Sequence, residues 1–177
     1  IEVRKKIQEK GKAAFEKELT DGYTGDFVAS NVNIERLEEY DKSVKINYSL
    51  KIERSDNSNI IYLNPVIKEG LRENYFKSAE RKYPVEMPYK IDETYQFKVD
   101  IPEGYIIDEA PKSEKVSYNE NEGKFEYLVS QTDTDISIRS RLTINKTYFQ
   151  PDEYESLRGF FDYIVKKHAE QIVFKKK

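Results

Sequence analysis

The side chains in this sequence that could do chemistry are few in kind. There is one histidine, His168, and no cysteine among 177 residues. A cysteine nucleophile, disulfides and thiolate metal sites are therefore excluded. His168 follows Lys166 and Lys167 at the end of a run with helical spacing, where an imidazolium complements the helix dipole. A catalytic base needs in addition a nucleophile and an orienting partner, so the structural reading is preferred. Carboxylates are plentiful, and Glu38-Glu39, Asp108-Glu109 and Glu120/Glu122 fall in predicted turns. Glycoside hydrolysis needs two carboxyls about 5–9.5 Å apart across a cleft, and solvated turns are the simpler account of these pairs. Asp133-Thr134-Asp135 and Asp56-Asn57-Ser58-Asn59 cluster oxygen ligands. Neither has the 12-residue spacing of a calcium loop, and a hairpin turn explains each. No residue is assigned to catalysis, to a cofactor or to a metal.

Binding chemistry is the stronger candidate. Residues 80–97 read ERKYPVEMPYKIDETYQF, two prolines among aromatics and charges. Tyr75, Phe76, Tyr83 and Tyr89, with Arg81 beside them, could form a platform for peptide or glycan. Against this, Pro84 and Pro88 remove backbone donors and hold the residues before them extended, as a chain crossing between sheets requires. The preferred reading is a stiff join whose aromatics seal the edge of a sheet. Arg139 and Arg141 share one strand face and could grip an anion. Pairing with a cross-strand acid such as Glu126 is the more ordinary role.

The elements that must position these residues are mostly strands. SVKINYSLKI (43–52) alternates strictly, with Val44, Ile46, Tyr48, Leu50 and Ile52 on one face. Strands are also predicted near 28–37 and over NIIYLNP (59–65), the latter joined to 43–52 by a hairpin turn at SDNSN (55–59). TYQFKVDI points Tyr95, Phe97, Val99 and Ile101 inward, and Pro102-Glu103-Gly104 suits a type I turn with Gly at its fourth position. KVSYNENEGKFEYLVS gives two strands about a turn, and DISIRSRLTI (135–144) puts Ile136, Ile138, Leu142 and Ile144 inside. Residues 2–20 favour a helix weakened at Gly11, and Pro151 opens an amphipathic helix with Tyr154, Leu157, Phe161 and Ile164 on one side. QIVFK closes as a strand. The fold class expected is mainly β, an antiparallel two-sheet β-sandwich of seven or eight strands with an N-terminal and a C-terminal helix. The expected division is a linking helix over 1–22 and a sandwich over 23–177.

Composition narrows the function classes. Charged residues make up 36% of the chain, yet 14 Tyr and 9 Phe supply the buried area that disordered chains lack. The net charge of −3 is unlike the basic balance of a nucleic-acid binder. No apolar run approaches the roughly 20 residues of a membrane helix. The start, Ile1-Glu2-Val3 without Met, is expected of a piece or processed product of a longer protein.

The run NPVIKEGLRENYFKSAERKYPVEMPYKIDETYQFKVDIPEGYIIDEAP, followed by LTINKTYFQPDEYESLRGFFDYIVKKHAEQIVFKKK, resembles one bacterial family. The ERKYPV, IPEGY and INKT…PxEY…FFD elements, in that order, carry the likeness. It is the C-terminal domain of unknown function that follows the transglutaminase-like core in exported multidomain proteins. The resemblance implies an upstream core with a Cys-His-Asp triad, none of which maps onto this cysteine-free chain. It further implies a periplasmic or cell-surface location and a partner in the upstream domain of the same polypeptide. The expected function is a non-catalytic accessory domain that supports the core or presents substrate. The alternative is a peptide- or glycan-binding module using the loop aromatics.

Overall fold

Two helices lead into the first strands because Gly11 interrupts the helical run. The computed structural model describes residues 2–22, 27–52, 58–68 and 70–177. Gly11 has φ +86, a left-handed conformation that only glycine takes at little cost. It separates α1 (Glu2–Lys10) from α2 (Lys12–Asp21). Ile7 of α1 and Phe15 of α2 are buried with Ile34, and Val32, Val44 and Ile46 pack on that cluster. The strands concerned are β1 (Phe27–Glu35) and β2 (Lys45–Ile52), an antiparallel pair. Arg4 binds the carbonyls of Leu37, Arg36, Glu39 and Lys42 at 2.7–3.0 Å. The chain parts into two compact units, Ile1–Asn57 and Ser58–Lys177. The helical lead-in therefore shares a core with the first strand pair inside unit one.

The second unit holds the remaining strands: β3 (Ile60–Leu63), β4 (Val85–Glu86), β5 (Ile91–Asp100), β6 (Tyr105–Glu109), β7 (Glu114–Tyr118), β8 (Gly123–Gln131), β9 (Asp135–Ile144), β10 (Tyr148–Phe149) and β11 (Ile172–Lys176). The long helix α3 (Tyr154–His168) precedes β11. The protein is mainly β and antiparallel, with helices toward both ends, as its alternation predicts. Among the described residues, the strands fall into four sheets, two of them two-stranded ribbons. The larger sheets have the orders β3-β11-β6 and β5-β9-β8-β7. β3 pairs with β11 rather than with β2, so the expected β2–β3 hairpin does not form. Residues 55–57 of its turn lie outside the described residues.

The four-stranded sheet carries the core. Ile136, Ile138, Ser140, Leu142 and Ile144 of β9 and Phe125 and Tyr127 of β8 are buried on one face. α3 covers that face with Leu157, Phe160, Phe161 and Ile164. Edge-to-face ring contacts such as Phe125–Tyr163 at 6.4 Å join the two. A short 3-10 turn, Pro151–Glu153, starts α3, and Gln150 and Glu153 cap each other's backbone there. At Pro102 the turn begins one residue later than expected. Tyr105 N–H donates to Pro102 O, so Gly104 is third in the turn, with φ +81.

Candidate functional site

His168 and Ser140 form the one serine–histidine contact among the described residues. Ser140 occupies an inward position of β9, and α3 lays its last residue over it. Nε2 and Oγ are 2.9 Å apart, and both residues are buried. The other ring nitrogen decides what the pair can do. Leu71 N–H donates to Nδ1 at 3.1 Å, so Nδ1 is the acceptor and Nε2 carries the hydrogen. Nε2–H then donates to Ser140 Oγ. A serine that is to be deprotonated needs a bare nitrogen facing it, and here it faces an N–H. Burial lowers the His168 pKa to about 4, so the ring is neutral at pH 7. The expected cation at the helix end is thus corrected: once the ring is enclosed by Phe125 and Tyr127, desolvation outweighs the helix dipole.

The backbone before α3's partner strands is built to hold this ring. Asn64 Nδ2 donates to His168 O, and its Oδ1 accepts from Val66 N–H. A Cβ added at Gly70 would lie 3.0 Å from His168 Nδ1 and 1.9 Å from Val66 Cγ1. Glycine is required there for close approach rather than for backbone conformation. His168 therefore fastens Asn64 and Leu71, β9 and α3 at one point.

Beside it, Lys167 is only 3% exposed. Its ammonium meets Glu170 at 2.8 Å and Glu114 at 3.6 Å and lies over the Tyr127 ring. Tyr163 donates to the same Glu114 oxygen. Tyr127 Oη is buried and has no hydrogen-bond partner among the described residues, and burial raises its pKa. Ser140 and this group went unnoticed in the sequence. The available signal was Ser140 itself, one polar residue at an inward position between Ile138 and Leu142.

The aromatic stretch divides in two. Its first part is fastened to α3: Phe76 is buried, with its ring edge-on to Phe161 at 5.1 Å and to Tyr154 at 5.9 Å. Asn74 binds Arg158 O and Asp162, and Tyr154 donates to Ser78 O. Tyr75 lies against Phe161 yet remains 65% exposed. Beyond residue 80 the side chains stand out. Arg81 is exposed, Tyr83 is 78% exposed and Tyr89 37%. The expectation that Tyr83 seals a sheet edge is thereby overturned. Val85 takes that place, buried opposite Phe149 in the β4–β10 ribbon. Of residues 80–90 only Val85 is buried, with Pro84 and Met87 half-buried.

Arg139 and Arg141 lie on the face of β9 away from Ser140 and α3. Arg141 binds Asp92 through two bonds, at 3.0 and 3.1 Å. The expected partner, Glu126, instead meets Lys115 and Lys124. Phe76 and Tyr75 pack on α3, so the structure does not bring these two aromatics and the arginines together. Asp135 is engaged by Lys98 at 3.2 Å, and no cluster of three metal-ligating side chains occurs among the described residues. Asp56 and Asn57 lie outside them.

A family model described as a Domain of Unknown Function with solved-structure structure (DUF3858) matches residues 59–174. The match coincides with the second unit and omits the first. No curated protein matches the chain. A crystal structure from Parabacteroides distasonis, described as a "putative protease", aligns at 20% identity with a TM-score of 0.48, covering 55% of this chain. The aligned part is 19% of that protein.

Proposed function

Because this chain belongs to that family of domains of unknown function, we propose that it is a non-catalytic accessory domain of an exported transglutaminase-like protein. Its role is to buttress the core or help present substrate at the periplasm or cell surface. The observation that carries this reading is the hydrogen on His168 Nε2, set by the Leu71 N–H on Nδ1. The only imidazole in the chain serves packing, and its serine partner is closed to substrate. The test is an assay of the isolated chain on peptide, ester and amide substrates. No turnover above buffer is expected. Turnover that Ser140→Ala abolishes refutes the reading. On the positive side, deleting residues 58–177 from the parent protein should lower the melting temperature or the substrate affinity of its core.

A second reading, a peptide- or glycan-binding module, is favoured by the exposure of Tyr83. A ring held this far into water contributes little to folding and presents its face to a ligand. Titration with envelope glycans and peptides, followed by tyrosine fluorescence, distinguishes the two. A saturable change lost in Tyr83→Ala would favour the module.

A further inference from the structure

β5 is an edge of the four-stranded sheet, and its register with β9 determines which backbone groups it uses. Ile91 lies opposite Ile144 and Asp100 opposite Asp135, with no bulge between. On the same register Ile101 N–H donates to Thr134 O at 2.8 Å. Antiparallel neighbours exchange bonds at every second pair, so Ile91, Glu93, Tyr95, Phe97 and Val99 bond to β9. The N–H and C=O groups of Asp92, Thr94, Gln96, Lys98 and Asp100 point the other way, where no strand lies among the described residues. The strand has ten residues, contains no proline and is unbulged. Natural edges are usually shortened, bulged or blocked by proline. This one has none of those three; its protection is charge alone, from Asp92, Glu93, Lys98 and Asp100, so only a partner that answers those charges can pair with it.

We propose that this edge pairs antiparallel with β5 of a second copy of the chain, about a two-fold axis at Tyr95. In such a pair, opposed residues share a face, and outward backbone groups must meet outward groups. Both conditions hold only when even-numbered residues face even-numbered ones. Centred on Tyr95, Asp92 faces the partner's Lys98, Thr94 faces the partner's Gln96, and Lys90, just before the strand, faces the partner's Asp100. Each contact occurs twice by symmetry. The adjacent allowed registers are repelled. Centred on Gln96, Asp92 meets the partner's Asp100; centred on Thr94, Lys90 meets the partner's Lys98. Like charges directly opposite are destabilising in a sheet, so charge selects one register from three.

Contacts already present within the chain extend the pattern. Asp92 holds Arg141 on its inner side, and Lys98 holds Asp135. The dimer completes a row of alternating sign across the joined sheet: Arg141, Asp92, the partner's Lys98, the partner's Asp135. On the other face Ile91 meets the partner's Val99, and Tyr95 meets its own copy. Glu93 falls beside the partner's Phe97, where its carboxylate reaches out to water. The result is one continuous eight-stranded sheet whose charges are complementary on the outer face of the seam.

The absence of cysteine makes the register directly testable in the whole chain. Thr94→Cys and Gln96→Cys variants are made separately and oxidised mildly, alone and mixed. Residues opposed in an antiparallel pair are within disulfide reach. Cross-linking is expected in the mixture and not in either variant alone. Self-cross-linking of Gln96→Cys would place the axis elsewhere and overturn the proposal. Sedimentation supplies the second arm: Lys98→Asp should weaken self-association about tenfold, and adding Asp92→Lys should recover it. A wild-type chain that stays monomeric at its highest soluble concentration overturns the proposal, as does a Lys98→Asp chain that associates as well as wild type.

Discussion

Acid should loosen this protein one histidine at a time, because it has only one. His168 has its ordinary pKa of 6.5 when unfolded and about 4 in the fold. A base whose folded pKa is depressed contributes stability above its unfolded pKa, and that stability is lost as pH falls. The unfolded chain takes up the proton first, so unfolding becomes easier between pH 6.5 and about 4 and then levels off. The full difference is about 3 kcal/mol, and about 2 kcal/mol of it should be gone by pH 5. Glu126, Asp135 and Glu153 have pKa values held below the ordinary carboxylate range, chiefly by hydrogen bonds from Lys124, Lys98 and Lys146 respectively. Their contributions are intact above the unfolded carboxylate values and are lost as pH falls through those values toward the lowered ones, which leaves most of the change between pH 7 and 5 to His168. Urea unfolding at pH 7.5, 6 and 5 measures the slope, and His168→Gln should remove it. An NMR titration is more direct, since every imidazole signal belongs to one residue. A midpoint near 4 is expected. A midpoint at or above 6.5 would mean that the ring is solvated or charged in the fold, and both the tautomer argument and the accessory reading built on it would fail.

Three stability predictions follow from packing, each checked by thermal or urea unfolding. Tyr83→Ala should change stability by no more than about 0.5 kcal/mol, whereas Phe161→Ala, which empties the core contact with Phe76, should cost about 3–5 kcal/mol. Equal losses would mean that Tyr83 is packed after all. Gly70→Ala should cost about 1–3 kcal/mol, because the added methyl collides with Val66 and presses on His168. Glu120, exposed in the β7–β8 turn with φ +55, should gain about 0.5–1 kcal/mol on replacement by glycine, the strain relief outweighing the extra freedom of the unfolded chain.

Local periodicity made the larger strands legible. Residues 43–52, 94–101 and 135–144 alternate because one face of each meets apolar neighbours, and those faces were read correctly. Partners were less legible, since pairing is a property of two distant segments. Nothing in NIIYLNP says that it waits for IVFKK rather than turning back on SLKI. β6 was missed because YIIDE is short and follows a proline turn. The exposure of Tyr83 was unreadable for a different reason: an aromatic beside proline is equally at home sealing an edge or standing in water, and only the burial of Val85 opposite Phe149 settles which. Ser140 could have been found, as a break in an otherwise apolar inward row. Its partner could not, because the contact joins β9 to the far end of a helix.

The position of β11 bears on how the chain is made. It lies between β3 and β6 and, among the described residues, is the only partner of either within that sheet. During synthesis, β3 is among the first strands of its unit to emerge and β6 follows, yet neither can pair in that sheet until α3 and the residues after it have been translated. Through that interval Ile60–Leu63 and Tyr105–Glu109 are unsatisfied strands with apolar side chains. A non-local closure of this kind is slow and exposes sticky intermediates. Stalled or truncated translation products of this protein should therefore be strong clients for chaperones and proteases, out of proportion to the few residues they lack.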